Sequence, residues 1–214
     1  MRRSALVYGL LLPLCVVLPL KAADTPVIHT KVSRLPPLAE PLDPLFQKMA
    51  DARAAKGGDL LNLQLTTGHA PKISAATGVL AYALRFDAVT PRALRELTIM
   101  RTAGIVGSKY ELFQHRPFLL SCGYSAAKID AIPHWRASKL FDDKERAMLA
   151  YVDQVAHGGN VDDATYAKFA SYFNPQEIVE LTVLIGSYYS NGLLTKALRI
   201  QLETDGRHTA AGTC

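Results

Sequence analysis

The stretch PRALRELTIMRTAGIVGSKYELFQHRPFLLSCGYSAAKIDAI, Pro91 to Ile132, governs how the rest of the chain is read. In its first half a Thr90-Pro91 start is followed by Leu94, Leu97 and Ile105 on one side of a helix. In its second half Glu111 and His115 stand four residues apart, which on a helix puts both on one face within side-chain reach. A carboxylate beside an imidazole favours the protonated ring and fixes which nitrogen carries the proton. Proton transfer needs such a titratable group, held in orientation by a second group. Pro117 removes a backbone donor and crowds the carbonyl of Phe113, so the helix is expected to kink or weaken at His115. The spacing by itself also fits a solvated helix face.

The flanking segments read as helices too. DPLFQKMADARAAK begins with Asp43 as N-cap and Pro44 in the first turn, and stops at Gly57-Gly58. APKISAATGVLAYALRF sets Ile73, Val79, Leu80, Ala83 and Leu84 at helical spacing. DDKERAMLAYVDQVAH carries a capping box, Asp142 with Glu145, and ends at Gly158-Gly159. NPQEIVELTVLIGSYYSNGLLTKALRIQLE opens in the same way with Asn174, Pro175 and Glu177. It is apolar almost all round as far as Gly186, which predicts a buried central helix. Glu180, Tyr188, Tyr189 and Asn191 make it a poor membrane span. No segment alternates with period two over the length of a strand. The prediction is one compact all-α domain of six to eight helices over residues 42–214, preceded by an extended, proline-rich lead-in at 24–41.

Residues 1–23 have the pattern of a secretory signal peptide. Arg2 and Arg3 precede an apolar run from Ala5 to Leu20, then Lys21-Ala22-Ala23, with cleavage expected after Ala22 or Ala23. As a helix the run reaches about 24 Å, short of a bilayer core of about 30 Å. The expectation is an exported protein, periplasmic or secreted, with no membrane attachment once the leader is removed. The chain has 24 Lys+Arg against 19 Asp+Glu, and the leader holds three of the basic residues and none of the acids. The mature net charge of +2 provides no field for nucleic acid. Cys15 leaves with the leader. Cys122 and Cys214 remain, and can pair in an oxidising compartment or stay as two thiols.

Several site patterns are absent: no Gly-rich phosphate loop, no HExxH and no CxxC, so neither cofactor nor metal is expected. His29, His69, His134, His157 and His208 are scattered as surface or loop residues, and Trp135 reads as packing. The pairs Asp142-Asp143 and Asp162-Asp163 sit where helix N-caps belong.

The quoted stretch resembles the carboxymuconolactone decarboxylase family, which shares its helical fold with alkylhydroperoxidase D. The matching elements are the Arg95-Glu96-Leu97 helix, Tyr110-Glu111 with His115, and Cys122-Gly123-Tyr124-Ser125 opening the next helix. The resemblance continues through LFDDKERAMLAYVDQV and EIVELTVLIGSYYSNGLLTKAL, covering about residues 38–203. It implies a cofactor-independent acid/base enzyme acting on a small lactone or carboxylated ring compound. In that reading His115 is proton donor or shuttle, Glu111 orients it, Glu96 is a second carboxylate, and Tyr110 and Tyr124 bind substrate through their hydroxyls. The peroxidase branch places two cysteines where this chain has Ser108 and Glu111, so thiol peroxidase chemistry lacks its dithiol. A non-catalytic binding or assembly protein on the same scaffold is the third reading. The resemblance also implies a homo-oligomer, trimer or hexamer.

Overall fold

A computed structural model describes residues 33–39, 42–55, 57–205 and 214. Among them the chain forms nine α-helices and no strand. These are α1 (Pro44–Ala54), α2 (Asn62–Thr67), α3 (Pro71–Tyr82), α4 (Arg92–Val106), α5 (Lys109–Ser121), α6 (Ala126–Asp130), α7 (Asp143–Ala156), α8 (Asp163–Ala170) and α9 (Pro175–Ala197). The all-α class is as expected, and the count exceeds eight because α2 and α6 are pieces of six and five residues. The anticipated leader lies outside the described residues. So does most of the lead-in, whose residues 33–39 have no regular structure.

The caps fall where the sequence places them. Asp43 accepts from the Leu45 amide, and Pro44 occupies the first turn of α1. Asp142 with Glu145 and Asn174 with Glu177 form reciprocal capping boxes at α7 and α9. Asp162 accepts from the Thr165 amide at the start of α8. Each such cap contributes about 1 kcal/mol.

The centre of the fold is α4, not α9. Every residue from Leu94 to Met100 is buried, as are Thr102, Ala103 and Val106, and α4 packs against α5, α7 and α9. Hydropathy hides this because Arg95, Glu96, Thr98 and Thr102 are among the buried side chains. On α9, Leu181, Leu184, Ile185 and Tyr188 face inward, but Val179 is 62% exposed and Leu193 49%. The helix expected to be buried all round is therefore half surface. On α3, Ile73 and Val79 are 67% and 72% exposed, so its apolar spacing marks an outer face rather than a core stripe.

Two glycines set the geometry around α4. Gly107, at φ 73°, ends α4 in the left-handed conformation that a side chain disfavours. It lets α5 begin within two residues, antiparallel neighbour to α4. Gly192 on α9 has no room for a Cβ, which would sit 2.9 Å from Val106 Cγ1. Helix α5 runs on through Pro117 to Ser121 as one element, so the proline does not break it at His115.

The α1–α3 segment is tied to the rest by polar contacts from Glu203, beyond α9, and from Tyr110 on α5. The Asn62 amide donates to Glu203 (2.7 Å) and the Leu63 amide to the Tyr110 hydroxyl (3.3 Å). Cys122, just past α5, is disulfide-bonded to Cys214, with Cα atoms 5.0 Å apart. No helix among the described residues is long and apolar enough to cross a membrane.

Candidate functional site

The short turn between α4 and α5 brings Glu96 and His115, nineteen residues apart, into contact. Ser108 caps α5, accepting from the Glu111 amide, and is anchored to Thr195 of α9 through its hydroxyl at 2.8 Å. This fixes the rotational setting of α5 so that Glu111 and His115 both face α4. Glu96, Glu111 and His115 are 1%, 2% and 7% exposed, which excludes the solvated-face reading of the i,i+4 pair.

The tighter partner of the imidazole is Glu96 rather than Glu111. His115 Nδ1 lies 2.7 Å from Glu96 Oε2, and Glu96 Oε1 accepts from Arg92 Nε at 2.7 Å. An ionised carboxylate has no proton to give, so Nδ1 is the nitrogen that donates. His115 Nε2 then faces Glu111 Oε2 at 3.5 Å. Glu111 Oε1 is buried and makes no hydrogen bond within the protein. The Tyr188 ring from α9 meets His115 edge-on at 4.9 Å, and Phe118 closes the other approach at 5.8 Å.

The two carboxyls are driven in opposite directions. Burial pushes Glu96 upward, but the charge and hydrogen bond of His115, together with those of Arg92, hold it below the ordinary carboxylate range. Burial pushes Glu111 up as well; the pull of His115 does not offset it, and Glu203 adds to the rise. The site therefore sets a carboxyl biased toward its ionised form on one ring nitrogen and one biased toward its protonated form near the other. Such a split is how two carboxyls around one group come to differ as acid and base. Tyr188 is also pushed up, by its burial and then by Glu111 and Glu96.

The tyrosines expected to bind substrate are otherwise engaged. Tyr110 is buried, and its hydroxyl donates to Glu203 at 2.6 Å while accepting from Leu63. Tyr124 donates to Glu145, which also accepts from Lys128 Nζ at 2.6 Å. No hydrogen bond or ring contact joins Tyr124 to Glu96, Glu111 or His115 among the described residues, and it belongs to a separate cluster. Arg92, Phe118 and Tyr188 are the residues that sequence reasoning missed. Arg92 had a signal, since it precedes Glu96 by four, the spacing of a helical ion pair. Tyr188 had none, because only the packing of α9 against α5 brings it to the ring.

Of the remaining histidines within the described residues, His69, His134 and His157 are exposed. Trp135 is buried and donates from Nε1 to Asp153 at 3.2 Å. It floors an open cleft of about 510 Å³ lined also by Arg136, Asp143, Arg146 and Lys168, which shares no residue with the Glu–His cluster. The arginines there are already bound, Arg146 by the Trp135 and Ser138 carbonyls and Arg136 by Asp153. No group of three or more His, Cys, Asp or Glu with metal-binding geometry occurs among the described residues.

No family model matches the sequence. Over 63 residues the chain is 41% identical to the uncharacterized protein YnjA of Escherichia coli (strain K12). That match covers 29% of this chain and only 35% of YnjA. Among solved structures, the alkylhydroperoxidase AhpD core of an uncharacterized peroxidase-related protein from Ralstonia eutropha JMP134 superposes with a TM-score of 0.72 at 17% identity. The superposition covers 83% of this chain and 95% of that one. The debrominase Bmp8 in its apo form gives 0.66 at 21% identity, covering 82% and 94%. Identities this low establish the fold alone, and that fold is alkylhydroperoxidase D-like.

Proposed function

We propose that the chain is a cofactor-independent acid/base enzyme of the carboxymuconolactone decarboxylase kind, acting on a small lactone or carboxylated ring compound by decarboxylation or isomerisation. The carrying observation is the buried contact of Glu96 and Glu111 with the two nitrogens of one imidazole, at 2.7 Å and 3.5 Å. Glu96, backed by Arg92, fixes the ring with its proton on Nδ1 and leaves Nε2 as the working nitrogen. Nε2 takes a proton from, or returns one to, a substrate carbon, and Glu111 supplies or stores the proton at the same edge. This exchanges the roles that the resemblance implies: Glu96 orients, and Glu111 is the acid. The solved structures named as AhpD-like and debrominase proteins support a small-molecule enzyme on this scaffold.

The dithiol peroxidase reading has little support. Cys122 is taken up by Cys214, and the two positions where that chemistry needs cysteines are Ser108 and Glu111. The same disulfide supports an oxidising compartment and hence export. Exposed Ile73, Val79 and Val179 support self-association into a trimer or hexamer.

The experiment is a screen of carboxylated lactones and related ring acids against the purified mature chain, followed by His115→Asn and Glu111→Gln on any substrate found. Turnover lost in both variants, with folding intact, supports the reading. Turnover unchanged in either ends it.

A further inference from the structure

The cleft floored by Trp135 has no part in the chemistry proposed above. Ala147 and Ala150 of α7, Ala164 of α8 and the buried Trp135 supply its apolar lining. Alanine side chains end at Cβ, so the two helices leave a trough here instead of interdigitating. The lining on α7 runs from Asp143 to Ala150, seven residues at 1.5 Å each, or about 10 Å. That length takes a two-ring molecule, and a volume of about 510 Å³ lies in the range of small-molecule sites.

Charge around the trough is one-sided. Arg146 donates to the carbonyls of Trp135 and Ser138, at 3.1 and 3.0 Å, and of Arg136, at 3.0 Å. Lys168 Nζ donates to the neutral Tyr172 hydroxyl at 3.3 Å. Arg136 shares Asp153 with Arg101 and keeps a side chain that is 64% exposed. Asp143, in the first turn of α7, is the one acid of the lining. Among the described residues it forms no ion pair with the three cations, and no carboxylate pairs with Arg146 or Lys168. The Arg136 and Arg146 guanidinium groups also lie 4.3 and 5.3 Å from the centre of the Trp135 ring. Cations held in place beforehand give up little freedom when an anion arrives.

We propose that this cleft is a second ligand site, taking a flat two-ring carboxylate. The apolar body lies on Ala147, Ala150 and Ala164, and Lys168 and Arg136 take the charge. Arg146 holds the turn from Trp135 to Ser138 in shape and adds its field. A neutral compound of the same shape gains the apolar contact but forgoes the ion pairs, so the site selects the anion. An inorganic anion leaves the alanine trough unfilled and gains only the charge.

The inference stands apart from the acid/base reading, and its test needs no turnover. The chain has a single tryptophan, so the one indole N–H resonance in its NMR spectrum reports on this cleft. Naphthoate, a two-ring carboxylate, and naphthamide, its neutral counterpart, are titrated by calorimetry and NMR into the purified mature chain. The same titrations are made on Lys168→Gln, on Lys168→Gln paired with Arg136→Gln, and on Ala164→Leu. All three positions are exposed, so the variants are expected to fold, with thermal unfolding as the control. Naphthoate should move the indole resonance and bind about tenfold or more tightly than naphthamide, the worth of one charge-assisted hydrogen bond. The paired variant should bring the two compounds to equal affinity, and Ala164→Leu, which fills the trough, should weaken both. If wild-type protein binds neither compound, binds both equally, or binds naphthoate with the indole resonance unmoved, the proposal is wrong. Unchanged naphthoate affinity in the paired variant or in Ala164→Leu overturns it equally. Should the paired variant fail to fold, unchanged affinity in Lys168→Gln overturns it. Naphthoate binding that leaves the indole unmoved and is lost in His115→Asn belongs to the Glu–His cluster, which supports that site and ends this one.

Discussion

Two groups of buried acids lie on the helices around α4, and they are treated differently. Asp153 of α7 accepts from Arg101 Nε at 2.6 Å, Arg136 Nη2 at 2.9 Å and Trp135 Nε1 at 3.2 Å. Glu145, also on α7, is bonded by Tyr124, Lys128 and the Asp142 amide. Glu111 of α5 has one contact at 3.5 Å and one oxygen with no partner. A carboxylate whose oxygens are all satisfied organises the chain around it, here joining α7 to α4 and the Trp135 turn. A carboxyl left under-satisfied in a dry place gains nothing for the fold. Its geometry is maintained by the capped, packed helices around it.

That contrast can be broken by exchanging what each acid is asked to do. The largest effect expected is on chemistry: on a carboxylated lactone that the wild type turns over, His115→Asn should lower kcat by about 10² to 10⁴, the usual range for a positioned acid or base. Its melting temperature should fall as well, since His115 is the larger of the two partners that favour an ionised Glu96, so turnover is compared per folded molecule. Asp153→Ala should affect stability alone. It strips the half-buried Arg101 and the buried Trp135 of their acceptor and should cost about 3 kcal/mol in denaturant unfolding, with any turnover per folded molecule unchanged. Loss of activity with full stability in Asp153→Ala would erase the distinction between the clusters.

The disulfide sharpens the same comparison from outside. Cys122 and Cys214 are 92 residues apart in sequence, and opening a loop of that size should lower stability by about 2 to 4 kcal/mol. The paired variant Cys122→Ser with Cys214→Ser is expected to lose that stability, keep any turnover found for the wild type, and show no dithiol-dependent peroxide reduction before or after. Peroxide reduction that vanishes with these cysteines would return the peroxidase reading.

The helices and their caps were legible because they are local. Asp43, Asp142 and Asn174 each satisfy amides within three residues, and the sequence carries both partners. The i,i+4 relation of Glu111 to His115 was equally local, and so was the suspicion that it mattered. What could not be read was which elements were inside. The apolar run of α9 predicted a buried centre, whereas the centre is α4, whose Arg95, Glu96, Thr98 and Thr102 look like surface residues until their partners are known. The exposed Ile73 and Val79 misled in the opposite sense. The closer partner of His115 came from nineteen residues away, and Tyr188 from a helix later still, so the ranking of Glu96 over Glu111 required the tertiary fold.

The smallest effect expected is the one that separates the two site carboxyls by pH alone. Glu111 is raised by burial, so between the ordinary carboxylate range and its raised value the folded chain holds a proton that the unfolded chain has lost. In that window stability falls as pH rises, with a slope of at most about 1.4 kcal/mol per pH unit. Glu111→Gln keeps a neutral group in place, should remove that decline, and should leave the protein as stable as wild type or slightly more so at neutral pH. Glu96 has the opposite sign. It is held low by His115 and Arg92, so it contributes stability above the ordinary carboxylate range that is lost as pH falls toward its depressed value. Glu96→Gln should therefore destabilise at neutral pH and converge with wild type in acid. Urea unfolding of both variants across the pH range reads the two slopes directly. If Glu111→Gln loses stability at neutral pH as Glu96→Gln does, Glu111 is one more structural acid, and the asymmetry on which the proposed relay depends is gone.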